Sequence, residues 1–146
     1  VQAQVLNLIK DLQATMGFAS LFISHDLAAT RYAADRIVVL YQGRIVEDAS
    51  ASTFYGLPAH PYSRALRIPV VPEDAPAFSL ANAETSQLAP GCALASRCPW
   101  AIERCTAETP TMRPVGTTRA ACHRGEEIVR FNPTGNPGGP DAAHTA

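Results

Sequence analysis

The 146 residues carry 12 prolines, four cysteines and a formal net charge of −1, which suits one domain or a piece of a larger one. That near-neutral balance leaves no electrostatic footprint for a nucleic-acid partner. The longest apolar runs fall far short of the ~20 residues that span a bilayer, so no direct membrane span is expected.

Residues 1–16, "VQAQVLNLIKDLQATM", place Val1, Val5, Leu8, Ile9, Leu12 and Met16 at helical spacing, and Gly17 is a natural stop. No capping residue precedes this pattern, so the expectation is a chain processed or cut inside an element. No basic segment leads into an apolar stretch, which argues against a secretory signal. The product is expected to be cytoplasmic, or at most peripheral to a membrane through partners.

"FASLFIS", residues 18–24, predicts a short strand. Leu21, Phe22 and Ile23 are consecutive apolars without alternation, as in a strand covered on both faces. Asp26 can cap a short helix over 27–34. "RIVVLYQGRIVEDA" predicts a hairpin, with strands 36–41 and 44–48 around Gln42-Gly43. A strand buried on both faces needs neighbours that residues 1–48 do not supply, so this front segment reads as the end of a larger α/β domain.

Residues 52–68 predict two short helices broken by Pro58 and Pro61, with Ser52 capping the first and Pro61 opening the second. The stretch 69–90 is rich in Pro, Ala, Ser and Glu and reads as a linker. The final "FNPTGNPGGPDAAHTA" reads as a disordered tail. All the prolines follow position 57, which separates an ordered front from a looser back.

The four cysteines, Cys92, Cys98, Cys105 and Cys122, are clustered in sequence. Without a secretory signal, a metal or cluster site is a better first expectation than disulfides. The spacing contains no Cys-x2-Cys pair and so does not resemble a zinc ribbon. Four thiolates suit tetrahedral Zn²⁺ or a [4Fe–4S] cluster, and ligand softness does not choose between them.

Taken together, "QAQVLNLIKDLQ", "LFISHDLA", "IVVLYQGRIVE", "HPYSRAL" and "RCPWAIERC" resemble the C-terminal part of the ATP-binding subunit of ABC-type oligopeptide/dipeptide importers, a family that includes nickel importers. The resemblance is collinear from Val1 to about Gly125. "ISHDL" alone fits any ABC ATPase; "HPYSRAL" with the spaced cysteines narrows it to the peptide-importer branch. The implied fold is α/β: the C-terminal end of a P-loop ABC ATPase domain (1–50), the helical start of an extension (51–68), a linker (69–90), an irregular cysteine-containing extension (91–125) and a tail (126–146).

On pattern alone His25 is most simply an exposed loop histidine. The resemblance makes it the switch histidine, a γ-phosphate sensor that acts with ATP and Mg²⁺ in an intact ATPase. Its place at the carboxyl end of a strand is where open α/β sheets meet ligands. In this family the phosphate loop, glutamine loop, signature and Walker B acids lie upstream of the residues corresponding to this chain. Nothing here matches G-x-x-x-x-G-K-[ST]. Phosphates, Mg²⁺ and water must be positioned together for hydrolysis, so this chain alone is expected to be inactive.

For Cys92, Cys98, Cys105 and Cys122 the resemblance ranks an iron–sulfur cluster first, zinc second and unligated thiols third. The family usually reads Gly-Cys-Pro-Phe ahead of Arg-Cys-Pro, whereas here Ala93 and Leu94 replace the Pro-Phe pair. His123 is a conceivable substitute ligand, though more simply exposed. Arg97 and Arg104 are either counter-charges to a cluster or ordinary solvated arginines. His60 has no second ligand at helical spacing, so "HPY" reads as a helix start that packs Tyr62, Leu66 and Ile68. Tyr41, Phe54, Tyr55 and Trp100 are assigned to packing.

The resemblance implies a second ATP-binding subunit, membrane-spanning permeases and a substrate-binding protein as partners. Two other readings are a stand-alone metal or redox module and a non-catalytic interaction module derived from such a subunit.

Overall fold

A computed structural model describes residues 2–67 and 90–131; Ile68, most of the expected linker and the chain beyond Phe131 lie outside them. Helix α1 spans Gln2–Met16. It ends where Gly17 turns to a φ of 69° and its amide reaches back to the Gln13 carbonyl at 2.8 Å. Helix α2, Leu27–Ala33, is capped by Asp26, whose carboxylate accepts from the amides of Ala28 and Ala29 at 2.9 and 3.1 Å. The two helices meet where Lys10 lies over the Tyr32 ring and donates to the Tyr32 carbonyl at 3.1 Å.

The buried strand predicted over 18–24 does not form. These residues run without regular structure, and Leu21 and Ile23 are each 90% exposed. A strand needs a ladder partner for its backbone, and among the described residues none lies alongside. Much of the α1 apolar stripe is exposed as well, including Val5, Leu8, Leu12 and Met16.

Strands β1 (Arg36–Tyr41) and β2 (Arg44–Ser50) form the predicted hairpin, the second strand running two residues further than expected. Gln42 and Gly43 have φ of 48° and 74°, as a two-residue primed turn between twisted strands requires. The register shifts between Val39 and Leu40, which pair with Glu47 and Ile45 and leave Val46 as the extra residue. This bulge lets consecutive residues Val46 and Glu47 both be buried.

Helix α3, Ala51–Gly56, starts two residues earlier than a Ser52 cap implies. Ser50, not Ser52, is therefore its cap, and the Ser50 hydroxyl accepts from the Thr53 amide at 3.1 Å. Helix α4, Pro61–Arg67, begins on Pro61 as predicted, and Tyr62 packs on Tyr41 with ring centroids 4.7 Å apart.

The cysteine-bearing segment is more regular than its sequence suggests. It contains a 3₁₀ turn at Ala95–Arg97, helix α5 (Glu103–Ala107), strands β3 (Arg113–Val115) and β4 (Thr118–Ala120), and helix α6 (Gly125–Arg130). Helix α6 occupies the start of the expected tail and buries Ile128 completely. Strand β4 pairs with β2, giving one antiparallel sheet in the order β1-β2-β4-β3. Leu94 enters the hairpin core beside Val39, Tyr41, Val46, Ala49 and Phe54. Ala59, Val115 and Ala120 form a second small cluster.

Where β2 meets β4, the Glu47 side chain is fully buried, with 0% exposure. Its carboxylate accepts from the amides of Ala59 and His60 at 2.7 and 3.1 Å and from the Thr118 hydroxyl at 3.5 Å. The buried Ser63 hydroxyl lies near enough to help hold the charge but outside hydrogen-bond geometry. Burial raises the Glu47 pKa above its ordinary value, and these donors pull the other way. Glu47→Ala strands two buried amides and is expected to cost about 3 kcal/mol. Urea denaturation of the full chain checks this; an unchanged midpoint and slope contradict it.

Candidate functional site

The four cysteines arrive from four separate local structures. Cys92 follows the turn at Gly91, Cys98 ends the 3₁₀ turn, Cys105 lies in α5 and Cys122 follows β4. All four line one narrow cavity, together with His60, Trp100, His123 and Arg124. Each is a free thiol. Among the described residues no three His, Cys, Asp or Glu side chains are arranged to hold a metal ion. The thiols therefore share a cavity without closing on one point.

Backbone contacts fix this arrangement. The Cys92 amide donates to the Cys105 carbonyl at 2.8 Å, and the Cys92 carbonyl accepts from Ala95 at 2.9 Å. Gly91 makes the first contact possible: its φ is 107°, and a Cβ there would lie 2.5 Å from the Cys105 carbonyl oxygen. Arg113 donates to the Cys122 carbonyl at 2.9 Å while its guanidinium pairs with Glu126 of α6. That pairing lowers the Glu126 carboxyl to a pKa of about 2.

Burial dominates the electrostatics of the thiols. It pushes Cys98 up to about 11 and Cys122 up to about 12, and it raises Cys92. Burial thus disfavours the thiolate form at these three positions.

Arg124 is the guanidinium lining the cavity, and it favours the Cys98 thiolate. It also sits over the Trp100 ring and pairs with Glu127. The two arginines singled out from sequence lie differently. Arg97 donates to the Tyr41 hydroxyl at 2.6 Å, and Arg104 pairs with Glu108 at 2.7 Å on the surface. His123 is half-buried at the cavity, with Nε2 2.9 Å from the Glu108 carbonyl.

His60 is the residue that sequence reasoning set aside. Its partners in the cavity lie more than thirty positions away, so no local spacing announces them. Arg113 and Arg124 were not singled out either, although Arg113 lies nine residues from Cys122 and Arg124 two.

His25 stands apart from this cavity. It is exposed in the loop before α2, between Ser24, whose hydroxyl accepts from the Asp26 amide at 2.9 Å, and the capping carboxylate of Asp26. The cap thus fixes the loop on one side of the histidine.

Residues 46–105 match the C-terminal region of oligopeptide/dipeptide transporters. The chain is 43% identical over 127 residues to a protein of Brucella melitensis described as a peptide import ATP-binding protein, covering 84% of this chain and 34% of that one. It is 42% identical over 135 residues to a di/tripeptide transport ATP-binding protein of Pseudomonas aeruginosa, covering 88% of this chain and 42% of that one. A further peptide import relative, from Brucella ovis, is 45% identical over 121 residues, covering 79% of this chain and 38% of its own length. The chain thus spans roughly two fifths or less of these relatives.

Gly91→Ala tests the cavity's framework. Left-handed strain and a clash with two backbone carbonyls are expected to cost about 2 kcal/mol or more. Thermal melting of the full chain against wild type reads the loss, and equal melting temperatures contradict it.

Proposed function

Because the chain belongs to the family of oligopeptide/dipeptide-importer ATP-binding subunits and matches their C-terminal region, we propose that it works as the carboxyl-terminal part of such a subunit. In that assembly it contributes the switch histidine and a four-cysteine centre to an ATPase that energises peptide uptake. The observation carrying this reading is the 42–43% identity to peptide-transport ATP-binding proteins over most of the chain. The exposed apolar stripe of α1 and the uncovered residues 18–24 support it, since an α/β domain would bury both.

The exposed position of His25 is compatible with that role. A histidine on an exposed loop can reach a phosphate without reorganising a core. As a neutral imidazole it donates one N–H to a γ-phosphate oxygen or orients water. The other parts of such a site, a Gly-rich phosphate cradle among them, have no match in these 146 residues. The partners would be a second ATP-binding subunit, permeases and a substrate-binding protein. Among the described residues no helix is long and apolar enough to cross a membrane, which fits a subunit held at the membrane's inner face by its permeases.

By donor type alone, the four free thiols of the cavity are those of an iron–sulfur cluster. Four soft thiols are what a [4Fe–4S] centre requires. Cys92, Cys98, Cys105 and Cys122 would hold it. When bound it would supply four cross-links between otherwise irregular segments and a centre able to take up an electron.

Two measurements test these readings. Anaerobic purification followed by iron, zinc and acid-labile sulfide analysis should return about four irons and four sulfides per chain. A colourless protein with one equivalent of zinc, or four freely titratable thiols, contradicts the cluster. Isothermal titration and a phosphate-release assay should show neither tight Mg-ATP binding nor turnover by this chain alone. Turnover that His25→Ala abolishes would overturn that expectation.

A further inference from the structure

Trp100 is the one tryptophan of the chain, and it forms part of the wall of the cysteine cavity. It lies in the short loop between Cys98 and α5, the helix that carries Cys105. The Ala101 amide donates to the Cys98 carbonyl at 3.0 Å, and the Cys105 amide to the Ile102 carbonyl at 2.8 Å. The loop is thereby tied to both cysteines. Both flanks of α6 close on the indole. Ahead of the helix, Arg124 lies 5.5 Å over the Trp100 ring and donates to the Trp100 carbonyl at 3.4 Å. Behind it, the Phe131 ring meets the indole edge-on, with centroids 5.0 Å apart.

The hold on α6 is uneven along its length. Six residues are too few for a helix to be stable by itself, and no side-chain hydrogen bond caps its start. Its amino end is pressed onto β3: a Cβ on Gly125 would lie 2.9 Å from a Val115 methyl carbon. Arg113 pairs with Glu126 at the same end, at 2.7 Å. Ile128 is its one large buried side chain. Beyond Ile128 the hold is polar and aromatic, with Arg64 on the Ile128 and Phe131 carbonyls and Phe131 on Trp100. A unit with so little buried apolar area opens locally at less cost than the whole fold.

We propose that α6 is a strap over the cysteine cavity. It pivots at Gly125, and release of Phe131 frees Trp100 and admits small thiol-reactive solutes to Cys105. Of the four thiols Cys105 is the buried one, so it depends most on the strap. The strap governs access to the sulfurs whatever they bind, and it does not rest on the cluster reading.

The test uses the full chain, reduced, freed of metal with a chelator and held at one pH. A protected thiol is modified in proportion to the population of the opened state. Labelling by N-ethylmaleimide, read at Cys105 by peptide mass spectrometry, should run about three to ten times faster in Phe131→Ala. Phe131 is 47% exposed, so this change removes a ring contact without emptying a core. Phe131→Tyr keeps the ring and should label like wild type. In wild type alone, low urea should raise Cys105 labelling and acrylamide quenching of Trp100 together, before the far-ultraviolet circular dichroism changes. That measurement decides the matter if Phe131→Ala fails to fold. An unmoved labelling rate in a folded Phe131→Ala overturns the strap. So does a wild type in which Trp100 and Cys105 yield only with the global transition.

Discussion

A single buried carboxylate joins the parts of this structure that are distant in sequence. Glu47 sits on β2 at the point where β4 pairs with it, and it receives the amides of Ala59 and His60 from the loop before α4. Burying a charge without partners is prohibitive, so the hairpin, the "HPY" loop and the last two strands must come together for Glu47 to be tolerated. The bulge at Val46 turns the carboxylate inward. Geometry in the cysteine cavity depends on that contact, because the same hydrogen bond that satisfies Glu47 sets the backbone of His60.

Around this anchor, the cysteine segment is integrated with the hairpin. Leu94 fills the hairpin core, and Cys92 and Cys98 pack against it. At the other end, Arg64 of α4 donates to the Phe131 carbonyl at 2.7 Å and also to that of Ile128, satisfying carbonyls at the end of α6. Small irregular segments of this kind bury little apolar area, so hydrogen bonds to backbone carbonyls carry a large share of their order. The cavity thus combines a rigid frame with three thiols, Cys92, Cys98 and Cys122, whose thiolate forms burial disfavours.

The front of the chain shows the opposite condition. Helix α1 and residues 18–24 present apolar side chains that nothing described covers, and the backbone at 18–24 has no ladder partner. The hydrophobic pattern of "LFIS" is that of a strand, but pattern alone does not make one. The hydrogen bonds of a parallel strand lie entirely in its neighbours. His25, at the end of that segment, is held on one side by the Asp26 cap, and any further constraint has to come from contacts this structure does not contain.

Local chemistry was legible in the amino-acid sequence because each signal and its consequence lie within a few residues. Gly17 ends α1, Asp26 caps α2, Gln42-Gly43 turns the hairpin and Pro61 opens α4. The motifs also carried the family resemblance. Even so, local reading slipped by two residues at the α3 cap, where Ser50 and Ser52 offer the same hydroxyl and only the start of the helix chooses between them. It missed β3 and β4, which are three residues each and include Pro114, too short for a periodic signal. Tertiary structure decided what lay beyond local reach. The gathering of four cysteines, the entry of His60 and Arg124 into their cavity, and the hold of Arg113 on Cys122 all join residues through the fold, not through spacing. Sequence determined which groups were available; the sheet pairing of β2 with β4 and the burial of Glu47 determined which of them meet, because a buried charge and an unpaired strand edge admit few arrangements.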